Sequence, residues 1–316
     1  MKLPVKCLLG VPILLTLCSL EAAEFFVAPS GNDANPGTEA RPFATLERAR
    51  DAVREAKAAG PVTIYLRGGR YELTRPLEFT AADSGTKERP IVWCAYKDEK
   101  PVISGGTLVT GWRRHDEKLW ATDVPWVRER KRPFYQLFVN GQRRVRARMP
   151  NEGSYFYTKR LRLTNAVHPV CLGMTYHEGD LAPLQDTTHA TVVLFHNWVN
   201  SFNRIGQLDR KRRRITFARP AGVFFLGPEV RYYVEGVREA IDAPGEWYLD
   251  PGQGTLYYYP LAGEKMERAE VIAPRLASPL VTFRGAAESG PFVEHIVFRG
   301  VSFQHADADL SPTYPH

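Results

Sequence analysis

The stretch that decides the fold is VTIYLRGGRYELTRPLEFT, residues 62–80. Apolar and polar residues alternate in it, first over Val62–Leu66 and again over Leu73–Phe79. Such alternation predicts strands with one buried face, and Gly68-Gly69 predicts a tight corner between them. Similar runs follow at residues 90–96 and 101–106. Short strands at intervals of roughly ten residues suit a coiled all-β solenoid or a sandwich. We interpret them as the first rungs of a parallel β-helix.

A single amphipathic helix is predicted ahead of these strands. Thr45 has the character of an N-cap residue, the helix continues to Lys57, and Gly60-Pro61 ends it. Its apolar residues fall on one face, as an amphipathic helix requires: Leu46, Ala49, Val53 and Ala56. A solenoid leaves the edges of its terminal rung open, so a helix in this position is expected to cap one end.

Hairpin signals replace the solenoid spacing from about Thr107 onward. Asn140-Gly141 lies between two β-prone runs, and residues 250–255 separate EWYL from LYYYP. Hairpins build antiparallel sheets, which predicts an inserted β-sandwich. Solenoid spacing returns near Ser278. The predicted segments are a signal peptide at 1–23, cap and first rungs at 24–118, the sandwich at 119–275, and resumed β-helix at 276–316.

Five sequence blocks stand out beyond the strand pattern: LFVNGQR at 137–143, ARMPN at 147–151, PGEWYLD at 244–250, GTLYYYP at 254–260 and FRGVSFQHAD at 298–307. Together they resemble glycoside hydrolase family 141. The resemblance implies a right-handed parallel β-helix (a pectate-lyase-like solenoid) with an N-terminal capping helix and an inserted antiparallel β-sandwich, a plan similar to that of family 120 xylosidases. It also implies fucosidase-like or xylanase-like activity on cell-wall polysaccharide.

The same resemblance places the paired catalytic carboxylates on rungs downstream of the insert. The sequence stops at His316, about one rung after the insert ends. We therefore expect a fragment that lacks most of the catalytic residues and is inactive alone. Two alternatives stay open: a noncatalytic extracellular binding or scaffold β-helix, and a polysaccharide lyase, because one fold hosts many chemistries.

The N-terminus predicts secretion. Residues 1–23 combine Lys2 and Lys6 with an apolar run too short to span a membrane and small residues before a cleavage point. Leu17 is not the small residue expected before a lipidated Cys18, so we expect no lipid anchor. The formal charge of +7 suits an acidic polysaccharide as partner. Basic residues in 209–214 are interpreted as a solvated hairpin tip, with polyanion binding as the alternative; we expect no nucleic-acid partner.

Candidate site residues lie mainly after the insert. Asp307 and Asp309 are close carboxylates, as glycosidic cleavage requires, and are candidates for the catalytic pair. His305, two residues before Asp307, would share its face on a strand and line a sugar site. Trp198 could stack on a sugar. We expect no cofactor, with calcium at Asp307 and Asp309 as a lesser alternative.

Other site patterns are missing from the sequence or stay open. No zinc pattern, serine-hydrolase elbow or dinucleotide fingerprint is present. Glu246 and Asp250 flank Trp247 at a predicted hairpin, where turn geometry explains them without catalysis. Cys94 and Cys171 remain after signal cleavage, either as free thiols or as a pair. The sugar, the linkage, the stereochemical outcome and the oligomeric state cannot be predicted from the sequence.

Overall fold

The computed structural model describes residues 22–57, 60–130, 132–167, 169–222, 229–276, 279–286 and 288–307. The predicted signal peptide falls almost entirely outside these ranges and stays a prediction. None of the helices in these ranges is both long and apolar enough to cross a membrane.

The first strands form the beginning of the β-helix. In chain order they are β1 (Ala23–Val27), β2 (Val62–Leu66), β3 (Gly69–Glu72), β4 (Leu77–Thr80), β5 (Ile91–Ala95) and β6 (Pro101–Ser104). β1, β2 and β5 lie side by side in parallel register. Val62, Ile64 and Leu66 are buried while the residues between them are half-buried, so this strand prediction is confirmed. The second predicted run, Leu73–Phe79, is wrong in its bounds, because the chain is not a strand at 73–76 and β4 begins only at Leu77.

The predicted amphipathic helix is confirmed as α1 (Leu46–Ala56). Its N-cap is Thr45, whose hydroxyl accepts a hydrogen bond from the Arg48 N–H at 3.2 Å. The buried face consists of Leu46, Ala49, Ala52 and Val53. Ala56, predicted on the same face, is only half-buried at the last turn.

The insert is built from many short strands and a helix, α2 (Pro125–Arg130), that the sequence did not predict. In chain order its strands are β7 (Gly106–Leu108), β8 (Arg113–Arg114), β9 (Trp120–Asp123), β10 (Leu137–Val139), β11 (Gln142–Arg146), β12 (Arg148–Met149), β13 (Phe156–Tyr157), β14 (Arg160–Leu163), β15 (Cys171–Thr175), β16 (Thr191–Phe195), β17 (Asn200–Asp209), β18 (Arg214–Ala221), β19 (Arg231–Glu235), β20 (Glu246–Asp250), β21 (Thr255–Tyr258) and β22 (Val271–Pro274).

These strands form two sheets. One has the order β7-β22-β10-β11-β20-β21-β9-β8; the other has the order β12-β19-β16-β17-β18-β15-β14, with β13 also paired to β19. Tyr248 and Tyr257 of the first sheet join the buried core of the second, which includes Val192, Leu194 and Tyr232. Alternate residues of the first sheet, such as Trp247 and Leu256, face a separate core together with Val127 of α2. The first sheet is therefore buried on both faces.

The hairpins that predicted the sandwich are present. β10 and β11 are joined by Asn140 and Gly141, both at positive φ (52° and 74°), the backbone that a two-residue type I′ turn needs. β20 and β21 pair from Trp247 to Asp250, across the turn predicted at residues 250–255.

The strands after the insert return to the sheets that the first strands began. They are β23 (Val281–Arg284), β24 (Ile296–Arg299) and β25 (Ser302–Gln304). β23 joins β4, β24 pairs in parallel with β5, and β25 pairs in parallel with β6. The insert therefore separates β6 from β23 in the chain. The predicted all-β fold, a parallel β-helix interrupted by an antiparallel sandwich, is confirmed.

By their contacts the residues form two compact units. One comprises the described residues up to Gly69 with Glu78–Pro101 and Phe283–Val301; the other comprises Arg70–Leu77, Val102–Thr282 and the described residues from Ser302. The domain boundaries predicted at 118/119 and 275/276 stay predictions. Cys94 and Cys171 are free thiols, and burial raises the pKa of each.

One buried carboxylate fastens α1 within the first unit. Asp83 is 1% exposed and accepts hydrogen bonds from Arg54 Nε at 2.6 Å, Arg54 Nη2 at 2.8 Å and the Thr80 N–H at 2.6 Å. Burial alone would raise the pKa of Asp83, but the hydrogen bonds from Arg54 and Thr80 hold it below its usual value. The ionised form is therefore the stable partner of Arg54.

Arg54→Ala is expected to lower the free energy of unfolding at pH 7 by about 2 kcal/mol, because it leaves the Asp83 carboxylate buried without its cation. The loss is smaller than for a fully buried pair because the Arg54 side chain is 34% exposed. Folding lowers the pKa of Asp83. The carboxylate therefore stabilises the protein at pH values above the ordinary pKa of aspartate, and this stabilisation is lost as the pH falls through the pKa of the folded state. Urea unfolding at several pH values should therefore show that the difference in unfolding free energy between the wild-type protein and Arg54→Ala shrinks below about pH 4.

Glu55→Ala is the matched control, since Glu55 is exposed on the same helix. It should change the unfolding free energy by less than about 0.5 kcal/mol. Equal losses of unfolding free energy in Arg54→Ala and Glu55→Ala would contradict this role of Asp83. So would a difference between the wild-type protein and Arg54→Ala that grows in acid.

Candidate functional site

Ala147 is the point at which the chain passes from one sheet of the sandwich into the other. Its N–H donates to the Trp247 carbonyl at 2.7 Å, and its carbonyl accepts from the Gly236 N–H at 2.9 Å. β11, before it, pairs with β20, and β12, after it, pairs with β19. Three arginines lie at every second residue along this crossing: Arg144, Arg146 and Arg148.

A cavity of about 450 Å³ lies along the crossing. This is within the range of roughly 300–1,000 Å³ for small-molecule sites. Its aromatic lining is Tyr135, Phe202 and Tyr233. Its charged lining is Arg143, Arg144, Arg146, Arg148, Glu152 and Glu235.

Two of the arginines are neutralised by carboxylates. Arg144 donates from Nε to the Tyr258 hydroxyl at 2.9 Å and forms an ion pair with Glu264. Arg146 Nη1 donates to Glu235 Oε1 at 2.9 Å, and both side chains are nearly buried. Each of these charges therefore has its partner within the protein.

Gly236 makes room for Arg146. Its φ is 71°, in the left-handed region, and a Cβ there would collide with the Arg146 guanidinium and lie 2.8 Å from the His189 carbonyl oxygen. A side chain at this position would displace Arg146 from Glu235, which immediately precedes the glycine.

Arg148 differs from the other two because its guanidinium forms no ion pair within 4 Å among the described residues, and the buried Glu246 carboxylate meets only its backbone N–H. Its side chain donates from Nε to the Pro150 carbonyl at 2.8 Å and from Nη2 to the Ser154 carbonyl at 2.7 Å. The guanidinium carbon lies 3.7 Å from the centre of the Tyr233 ring. Arg148 is only 7% exposed, so a nearly buried cation forms part of the cavity wall.

The phenols of the cavity are neutral at physiological pH. Burial, reinforced by Glu235, raises the pKa of Tyr233 to about 12. Burial also raises the pKa of Tyr135. Each hydroxyl can donate a hydrogen bond to a ligand. One face of each ring is covered by a guanidinium, that of Arg148 on Tyr233 and that of Arg146 on Tyr135, so a ligand can stack only on the opposite face.

His305 and Asp307 follow the last described strand of the resumed β-helix, and neither lines the cavity itself. β25 ends at Gln304, and His305 adopts a positive φ of 60°. The His305 ring turns inward, 9% exposed, with Nδ1 2.9 Å from the Ser104 hydroxyl and its centre 4.8 Å from that of Phe138. Burial lowers the pKa of His305, which favours the neutral ring.

Asp307 is half-buried, and its carboxylate accepts the Tyr135 N–H, at 3.0 Å to Oδ1 and 3.3 Å to Oδ2. Its own N–H donates to the Leu276 carbonyl. Asp307 therefore positions Tyr135, which lines the cavity. Its roles as a sugar ligand and a catalytic carboxylate stay predictions, and Asp309 lies outside the described residues.

The other predicted residues are separate from the cavity lining. Trp198 is 75% exposed between β16 and β17, and its role in stacking on sugar stays a prediction. Glu246 and Asp250 accept backbone N–H groups in the turns beside them, as turn geometry predicts. The basic run 209–214 connects β17 and β18, where Arg212 pairs with Asp209.

Among the residues that the structure describes, no three His, Cys, Asp or Glu side chains are grouped so as to hold a metal ion. Asp309, which the calcium alternative requires, is not among those residues. That alternative stays untested.

A family model for the GH141 insertion domain matches residues 117–261, a segment that contains every residue lining the cavity. A solved structure described as a glycoside hydrolase superposes with a TM-score of 0.77 at 31% identity, covering 90% of this chain. The chain is a GH141-like protein. The resemblance predicted from the sequence blocks is confirmed, and this chain covers 51% of that glycoside hydrolase chain.

Two curated proteins match shorter parts of this GH141-like chain. The uncharacterized protein YwoF of Bacillus subtilis is 39% identical over 83 residues, which are 26% of this chain and 16% of YwoF. Pectate lyase PEL9 of Emericella nidulans is 38% identical over 87 residues, 28% of this chain and 20% of the lyase.

The sequence contains one local signal of this basic face. Residues 144–148, RVRAR, alternate arginine with small apolar residues at period two, which places three cations on one face of an extended chain. The pattern predicts a basic face, but the carboxylates that neutralise two of its arginines are distant in the sequence.

Asp307→Ala is expected to release the Tyr135 amide. Its hydrogen-exchange protection should fall, and the free energy of unfolding should drop by about 1–2 kcal/mol, because a carboxylate–amide hydrogen bond is lost. Amide hydrogen exchange followed by NMR measures the first effect directly.

Asp250→Ala is the control, because Asp250 also accepts backbone N–H groups but at the β20–β21 turn. It should leave exchange at Tyr135 unchanged. Unchanged exchange at Tyr135 in Asp307→Ala would show that the carboxylate does not hold this wall of the cavity.

Proposed function

We propose that this GH141-like chain is part of a secreted glycoside hydrolase that acts on cell-wall polysaccharide, and that the cavity of the insert holds a sugar residue of the polymer. The observation that carries the proposal is the cavity itself, which combines aromatic side chains with arginines inside the segment matching the GH141 insertion domain. Sugars present apolar C–H faces and a ring of hydroxyls. Aromatic rings and fixed donors are the groups that recognise these two features.

The proposal places bond cleavage elsewhere than in this cavity. Glu235 is committed to Arg146, and Asp307 is committed to the Tyr135 backbone. A glycosidase needs one carboxyl group to donate a proton and another to act as nucleophile or base. The resemblance assigns those carboxyl groups to later β-helix rungs, and the chain covers about half of the similar hydrolase.

Tyr135→Ala is expected to weaken binding of cell-wall oligosaccharides by about 5- to 10-fold, because it removes an aromatic side chain and a hydroxyl donor from the cavity lining. Isothermal titration with xylo- and galacturono-oligosaccharides measures the change. Trp198→Ala is the matched control, since it removes an exposed aromatic residue that does not line the cavity. Weaker oligosaccharide binding by Trp198→Ala, with unchanged binding by Tyr135→Ala, would place the sugar at the β16–β17 hairpin instead.

This chain alone is expected to release no reducing ends from xylan, pectin or fucosylated glycans, whereas a longer protein with further rungs should do so. The resemblance to pectate lyase PEL9 makes elimination the second candidate reaction. Ultraviolet absorbance of unsaturated uronic ends distinguishes elimination from hydrolysis. Turnover by this chain would overturn the placement of the catalytic carboxylates, and binding without turnover by any longer form would favour a noncatalytic role.

A further inference from the structure

The charges along the arginine series are compensated unequally. Arg144 and Arg146 each face a carboxylate, from Glu264 and Glu235. Arg148 faces only two carbonyl oxygens and aromatic rings among the described residues. Burying a guanidinium without a counter-charge is costly, and such residues are normally paired.

The contacts of Arg148 hold it in one orientation. Its two hydrogen bonds to the Pro150 and Ser154 carbonyls and its position over the Tyr233 ring fix the plane of the guanidinium at the cavity wall. A pre-oriented arginine can form paired hydrogen bonds to a planar anion with little further loss of conformational entropy. Arg143, which lines the same cavity and is exposed, adds a second positive charge.

We propose that the cavity takes a sugar bearing a negatively charged group, the carboxylate of a uronic acid or a sulfate ester, and that Arg148 binds this group. The inference rests on the proposed function, because it assumes that the ligand is a saccharide. The neutral Tyr233 phenol beside Arg148 can donate a further hydrogen bond to the sugar. Glu152, an exposed carboxylate in the same lining, opposes the anion and weakens its binding.

The test is titration of the protein at pH 7 with three oligosaccharides of equal length: an oligogalacturonate, a sulfated galacto-oligosaccharide and a neutral galacto-oligosaccharide. We expect an anionic ligand to bind about 10-fold or more tightly than the neutral one, since hydrogen bonds between charged groups are the strong ones. The tighter of the two anionic ligands identifies the charged group. The preference should shrink as salt is raised, although less than for an exposed pair.

Arg148→Gln should abolish the preference while neutral binding persists. Arg212→Gln, the same charge change at the exposed β17–β18 turn, should leave the preference unchanged. Because Arg148→Gln also removes hydrogen bonds to the 150–154 turn, its thermal unfolding must be measured. Glu152→Gln supplies a second test that keeps those bonds, and it should raise the affinity for the anionic sugar about 2- to 5-fold without affecting the neutral one.

The outcomes separate the two proposals. Equal binding of all three oligosaccharides, or a preference that survives Arg148→Gln, overturns the assignment of the charged group but leaves the saccharide site standing. Unchanged anionic affinity in a folded Glu152→Gln variant also counts against the assignment. Failure of every oligosaccharide to bind overturns the proposed function itself.

Discussion

The passage of one continuous segment through both sheets of the sandwich is the constraint on which the candidate site depends. At Ala147 the N–H is bonded to one sheet and the carbonyl to the other, so the segment can neither slide nor rotate without breaking a ladder. β11 and β12 on either side are short and are held by β20 and β19. The backbone that lines the cavity is rigid because this segment pairs with strands of both sheets and is not a loop.

The crossing brings three arginines into a largely buried region, and the surrounding structure compensates them individually. Arg144 is held by Glu264 and the Tyr258 hydroxyl, and Arg146 by Glu235. Leaving one partner without the other would cost several kcal/mol at such buried positions. Gly236 provides the space that lets Arg146 reach its carboxylate. Arg148, whose guanidinium has no ion pair among the described residues, departs from this pattern, and the contrast supports the proposal that it binds an anionic group.

Sequence reasoning predicted the features that depend on local pattern. Period-two alternation predicted β2, Thr45 predicted the start of α1, and Asn140-Gly141 predicted the β10–β11 hairpin. It did not predict the ion pairs of the site, because Arg146 and Glu235 are 89 residues apart and Arg144 and Glu264 are 120 apart. Long-range pairing follows from tertiary packing, which leaves no periodic trace in one sequence. For the same reason α2, a six-residue helix packed on the core of the first sheet, was not predicted.

Residues 305–307 show how a strand pattern can give a wrong expectation of geometry. The spacing of His305 and Asp307 predicts a shared face only while the strand continues, and the left-handed φ of His305 ends that alternation. His305 is turned onto Ser104 and Phe138, and Asp307 onto the Tyr135 backbone. Asp307, which follows β25, therefore fixes the backbone of Tyr135, a residue that lines the cavity. If the proposed sugar stacks on Tyr135, its binding depends on the Asp307 contact that fixes the backbone of that residue.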